Sequence, residues 1–209
     1  MYPLADFVDK PSGKQEEGEL AFFSSLSDFE LVQRCLQENQ HALRCMIDRF
    51  QGLVWSLCLR LLRDHHESED VAQEVFMRIF RGLKGWDPRR PLKPWIAAIT
   101  VNRCRTQMAR RNKRALTTPY MNLQPAKPDY TQQGNEWKTE IDAALLQLRE
   151  DYREVFVLFH EEGMAYEEIA EVTGRPVGTV KTWLHRARTQ VFEYLRDRGM
   201  LDGVQHELP

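Results

Sequence analysis

The run from Ala165 to Arg188, AYEEIAEVTGRPVGTVKTWLHRAR, carries the most specific chemistry in the chain. Its pattern predicts a helix, a tight turn and a second helix with a basic outer face. Ile169, Ala170 and Val172 form a short apolar stripe. Gly174 suits the left-handed residue that ends a helix. Pro176 pre-sets the start of the next one, where a missing N–H costs least. Val180, Leu184 and Ala187 recur at helical spacing and predict the face buried against the first helix. Lys181, Thr182, His185, Arg186 and Arg188 are left to face outward, with Thr179 and Trp183 beside them. Such a helix fits the major groove of duplex DNA, with polar side chains for base edges and cations for phosphates.

The net charge of −2 over 209 residues does not announce a nucleic-acid binder, but its distribution does. From Arg78 to Arg114 twelve Lys or Arg face one Asp, a net +11, whereas residues 1 to 30 carry seven acids and two lysines, a net −5. This asymmetry predicts a local anion-binding surface. Other chemistries lack support. Glu67, Glu69, Asp70 and Glu74 cluster, but only His65 and His66 stand near, and no nucleophile elbow, phosphate loop or HExxH is present. The expectation is therefore a protein without catalysis or cofactor. Cys35, His41 and Cys45 are spaced unlike a zinc motif, and with Cys58 and Cys104 the cysteines fall on apolar helix faces. They read as reduced core residues. No apolar run could span a membrane. The start, MYPLADFVDK, has neither the basic n-region nor the apolar core of a secretory signal, which predicts a cytoplasmic protein.

The elements that must position these residues are all helical. Residues 1–26 read as a flexible acidic tail, in which Leu20, Phe22, Phe23 and Leu26 could dock on something. Ser27 and Glu30 have the capping-box form and should start a helix. Asn39 looks like the next cap, and Leu43, Met46, Ile47, Phe50, Val54, Leu57, Cys58, Leu61 and Leu62 give a helical stripe up to about Arg63. A third helix is predicted from about Glu67 to Gly82. A fourth begins around Leu92 to Trp95, after a loop rich in Gly and Pro. Residues 115–135, with Pro119, Pro125, Pro128 and Gly134, read as a linker. Helices marked by Ile141, Leu145 and Leu148, and by Val155, Phe156, Leu158 and Phe159, precede the helix-turn-helix, which should run to about Arg198. The fold expected is all-α: two small helical domains, 27–114 and 136–198, on a flexible linker, with a short tail at 199–209 that leaves no room for a regulatory domain.

The segment EDVAQEVFMRIF from Glu69 to Phe80 resembles the second region of bacterial sigma factors, and the helix-turn-helix is similar to their fourth region. Their order, with no domain between, resembles the extracytoplasmic-function group of the sigma-70 family over about Ser27 to Leu195. The resemblance implies a protein that binds core RNA polymerase, directs it to promoters and promotes DNA melting, while phosphodiester chemistry stays with the polymerase. It implies that Asp70, Gln73 and Glu74, three and four residues apart on one helix face, dock on the clamp coiled coil of the largest subunit, with Phe76 packing beneath or beside them. It implies a flap contact on the second-largest subunit for the second domain. An anti-sigma partner is common in the group.

The resemblance also places the minus-ten element on residues 86–114. Trp86 and Trp95 are candidate aromatic surfaces, though core packing suits Trp95 better, beside Ile96 and Ile99. Asn102 matches a position that helps line a flipped-base pocket and can present both a donor and an acceptor. Arg89, Arg90, Lys93, Arg103, Arg105, Arg110 and Arg111 can track phosphates. The minus-thirty-five element falls to Thr179, Lys181, Thr182, Trp183, His185, Arg186 and Arg188. The chain departs from the family at Leu92, where a ring is common, at Ala98 and Trp183, where arginine is common, and at Pro94. A dimeric helix-turn-helix repressor would share the second domain but needs neither the Asp70 motif nor the basic segment. The acidic tail is expected to shield that segment until polymerase binds.

Overall fold

A computed structural model describes residues 22, 23, 25–117 and 136–201, and the side chains of 115–117 and 136 are not described. Most of the acidic tail, most of the linker and the end of the C-terminal tail lie outside these residues. The described residues are helical apart from short turns, and they form two compact units, 22–117 and 136–201.

The first unit holds α1 (Asp28–Leu36), α2 (Gln40–Leu62), α3 (His65–Gly82), a 3-10 turn (Leu83–Gly85) and α4 (Leu92–Thr117). The capping box forms: Ser27 Oγ accepts from the Glu30 N–H at 3.3 Å, and the Glu30 carboxylate accepts from the Ser27 N–H at 3.0 Å. Asn39 accepts from the Ala42 N–H at 3.0 Å and starts α2. Helix α3 begins two residues before the predicted Glu67, because Asp64 caps it by accepting from the Glu67 N–H at 2.8 Å. Arg63, at φ 60, makes the sharp break between α2 and α3. Pro94 falls in the first turn of α4, where backbone N–H groups have no helical partner, so the ring is tolerated.

Helix α2 packs on both α3 and α4, and α3 on α4. Met46, Leu57, Leu62, Ile79, Leu92 and Ile96 fill the space between them and are fully buried. All four cysteines are buried and reduced, and the Sγ atoms of Cys58 and Cys104 lie 3.8 Å apart. Burial pushes the Cys35 thiol up to about 12, so it remains a protonated apolar group. Residues before Ser27 also pack on this unit. Phe23 is buried with its ring stacked on His41 at 6.0 Å, and Arg49 donates to the Leu26 carbonyl at 2.9 Å and to Asp28 at 3.0 Å.

The second unit holds α5 (Glu136–Gln147), α6 (Glu150–His160), α7 (Tyr166–Thr173) and α8 (Val177–Asp197). The predicted turn chemistry is present: Gly174 ends α7 at φ 67, and Pro176 stands at the start of α8 at φ −58. Glu168 reaches back to accept from the Ala165 N–H at 2.8 Å. Arg153 is buried and donates to the Leu145 and Leu148 carbonyls at 2.9 and 2.5 Å, satisfying acceptors that α5 leaves open at its end. Nothing in the spacing of Arg153 distinguishes it from a surface arginine.

Candidate nucleic-acid and partner interfaces

Three surfaces follow from these elements. The first is an edge of α3. Val71, Val75, Phe76 and Ile79 bury one side of the helix, with Phe76 4% exposed. Asp70 and Gln73 are thereby forced outward, and Met77, which the sequence did not single out, extends their row at 40% exposure. Glu74 takes a different path. It turns across to α4 and accepts from Arg103 Nε and Nη2 at 2.5 and 3.0 Å. The hydrogen bonds from Arg103 hold the Glu74 carboxyl below its usual range.

That pair gives Arg103, a phosphate candidate from the sequence, a structural partner as well. Its side chain is 4% exposed and anchors α4 to α3, while it also lines the groove between these helices. Arg111 is half-buried and donates to the Leu62 carbonyl at 3.1 Å, where it satisfies the end of α2. The other cations of the basic segment lie at the surface: Arg89, Arg90 and Arg110 are exposed, and Lys93 and Arg105 are half-buried. Arg89 forms a fork with Asp87, whose carboxyl is held at about 2 by those hydrogen bonds.

The second surface is a groove of about 510 Å³ whose lining includes Arg78, Gly82, Trp95, Asn102, Arg103 and Thr106. The two candidate tryptophans differ in burial here. Trp86 is 7% exposed, drawn into the core by the 3-10 turn that its own N–H closes onto the Leu83 carbonyl at 3.2 Å. It offers no face for a base. Trp95 is half-buried and walls the groove, on the same face of α4 as the exposed Asn102 and two turns before it. Gly82 makes this possible, since a Cβ there would come within 3.3 Å of the Trp95 ring. Periodicity placed Trp95 on the inner side of its helix but could not reveal a glycine opposite it.

The third surface is the outer face of α8. Val180, Leu184, Ala187 and Val191 are buried, as spacing requires. Lys181, Thr182, His185 and Arg186 are exposed, while Thr179, Trp183 and Arg188 are half-buried on its flanks. The Thr182 hydroxyl donates to the Gly178 carbonyl at 2.9 Å, leaving lone pairs toward solvent.

The family profile described as Sigma-70 region 2 matches residues 46–114, and the one described as Sigma-70, region 4 matches 138–191. The chain belongs to the sigma-70 family of RNA polymerase sigma factors, in its extracytoplasmic-function group. This sigma factor is 28% identical to the ECF RNA polymerase sigma factor SigW of Bacillus subtilis, over 79% of this chain and 95% of that protein. It is 33% identical to ECF sigma factor SigE of Mycolicibacterium smegmatis, over 68% of this chain and 57% of that one. Its fold matches that of the sigma factor RpoE of Bartonella quintana, solved with the anti-sigma factor NepR, at TM-score 0.67 and 24% identity, covering 73% of this chain and 96% of that one. The protein is thus a transcription initiation factor that directs core polymerase to promoters, in a family whose members are not catalysts. No helix among the described residues is long and apolar enough to cross a membrane.

Proposed function

We propose that this sigma factor divides promoter recognition among the three surfaces. The Asp70–Gln73 edge, extended by Met77, docks on the clamp coiled coil of core polymerase. The groove between Trp95 and Asn102 takes an unstacked base of the minus-ten element. The outer face of α8 reads the minus-thirty-five duplex. The observation that carries this reading is the groove itself, in which an indole ring, an amide and the guanidinium of Arg78 line one concave space beside an exposed row of cations. A melted strand needs those three kinds of group, for stacking, for base edges and for phosphates. The chain supplies binding energy and position, and phosphodiester chemistry stays with the polymerase. The sigma factor acts in the cytoplasm. An anti-sigma protein, as in the Bartonella complex, is the natural regulator, because covering α3 or α8 removes a contact that initiation requires.

Run-off transcription with purified bacterial core polymerase on a library of promoter fragments tests the reading. Transcripts should depend on the protein and vanish with Asp70→Ala combined with Gln73→Ala. Asn102→Ala should keep core binding and lose strand opening, read as permanganate reactivity of unpaired thymines. Opening that survives Asn102→Ala and Trp95→Ala would sink the groove assignment. Operator binding by the protein alone, without transcripts, would favour a dimeric repressor.

A further inference from the structure

Duplex DNA presents edges and phosphates in its grooves, not base faces. A ring beside a groove-reading helix therefore has no base to stack on. Trp183 and Tyr152 nevertheless stand together at one flank of α8, their ring centroids 6.4 Å apart. Arginines occupy their faces. The Arg149 guanidinium lies 4.6 Å from the Tyr152 ring and 5.9 Å from that of Trp183. Arg175 lies 5.4 Å from the Trp183 ring. Arg186 Nη1 donates to the Tyr152 hydroxyl at 3.1 Å. Arg149 belongs to the start of α6 and is also paired with Asp151, while Arg175 belongs to the turn before α8. Neither is in the recognition helix, and periodicity along α8 could not have found them.

The opposite flank repeats the device. Lys181 lies 5.3 Å from the Tyr166 ring, and the Arg188 guanidinium lies 4.9 Å from that of Phe159. The two rings stack at 5.2 Å, and Arg188 Nε donates to His160 Nε2 at 3.0 Å. At about 100° per residue, Lys181 and Arg188 fall to one side of Thr182 and Trp183 to the other.

We propose that the duplex-reading surface extends past α8 to Arg149 and Arg175, which Tyr152 and Trp183 hold for the phosphates of one strand, as Tyr166 and Phe159 hold Lys181 and Arg188 for the other. The proposal rests on the reading of α8 as a major-groove helix. A guanidinium laid on a ring spends its face there and keeps for oxygen acceptors the N–H groups that are not already donated, as Arg149 donates to Asp151 and Arg188 to His160. Its rotamers are already restricted, so less freedom is lost when a phosphate arrives. Trp183 is accordingly a positioning residue.

The test uses the full chain and a mixed-sequence DNA duplex of about three helical turns. Anisotropy gives Kd across about 50 to 200 mM KCl. Arg149→Ala and Arg175→Ala should each lower the slope of log K against log salt by about 0.9. Trp183→Ala should weaken binding in the wild-type background and have no further effect once both arginines are gone, while Trp183→Phe keeps most of the affinity. Circular dichroism confirms folding of each variant. A wild-type slope in the double variant Arg149→Ala, Arg175→Ala, with Lys181→Ala and Arg188→Ala still lowering it, overturns the extension and leaves the major-groove reading intact. If all four leave the slope unchanged, the major-groove reading itself fails. Weakened binding to core polymerase at an unchanged slope would assign the surface to a protein partner and likewise overturn the proposal.

Discussion

The basic residues of α4 and those of α8 look alike in the sequence and are used differently. In α4, Arg103 and Arg111 turn inward, one to a carboxylate on α3 and one to the last carbonyl of α2. They hold three helices together. In α8 and the turn before it, Lys181, Arg188 and Arg175 lie over aromatic faces at the surface. Arginine within a three-helix interface serves as a cross-link, because its long stem and forked head can reach acceptors that Lys, Ser or Asn cannot. Arginine on a ring remains available to a ligand. A count of charges sees no difference between the two.

Substitutions that remove one use at a time would sharpen the contrast. The largest effect on stability should come from Arg103→Ala, which strands Glu74 and empties a nearly closed site. Since the Glu74 side chain is 41% exposed, the cost of a broken buried pair is discounted to about 2 kcal/mol, read from urea unfolding of the full chain. A loss under about 0.5 kcal/mol would mean that the cross-link is ornamental. Next is Gly174→Ala. The residue sits at φ 67 with open space around its Cβ position, so strain alone sets the cost, about 1 kcal/mol.

Acid should follow. Glu74 has a folded value depressed by the hydrogen bonds from Arg103, from an ordinary 4.5. Its contribution is therefore full above pH of about 4.5 and is lost as pH falls through the lower folded value. The stability gap between wild type and Arg103→Ala should narrow below pH 4 or so, and Glu74→Gln should abolish that narrowing. The smallest change is expected from Arg186→Ala, under about 0.5 kcal/mol in stability, although upstream duplex binding falls. If Arg186→Ala instead destabilised the chain as much as Arg103→Ala, the distinction between the two helices would collapse.

Much of this was legible in local patterns. The capping box at Ser27, the Asn39 cap, the left-handed Gly174 and the buried row Val180, Leu184 and Ala187 depend on residues within one or two turns of each other, and each stands where spacing put it. The Asp64 cap is not legible in the sequence, because two histidines follow it and the apolar stripe begins only at Val71. The different burial of Trp86 and Trp95 was not legible, since it depends on Gly82 and the 3-10 turn that precedes the loop.

The sequence by itself determined the helices, their caps, their inner faces and the two motifs that mark the family, because these are short-range consequences of propensity, periodicity and turn chemistry. The tertiary structure alone decided which arginine is a strut and which is displayed. It also decided which tryptophan walls the groove, and that Arg149 and Arg175 meet at Trp183. Those outcomes turn on distances between residues far apart along the chain, and no local spacing encodes them.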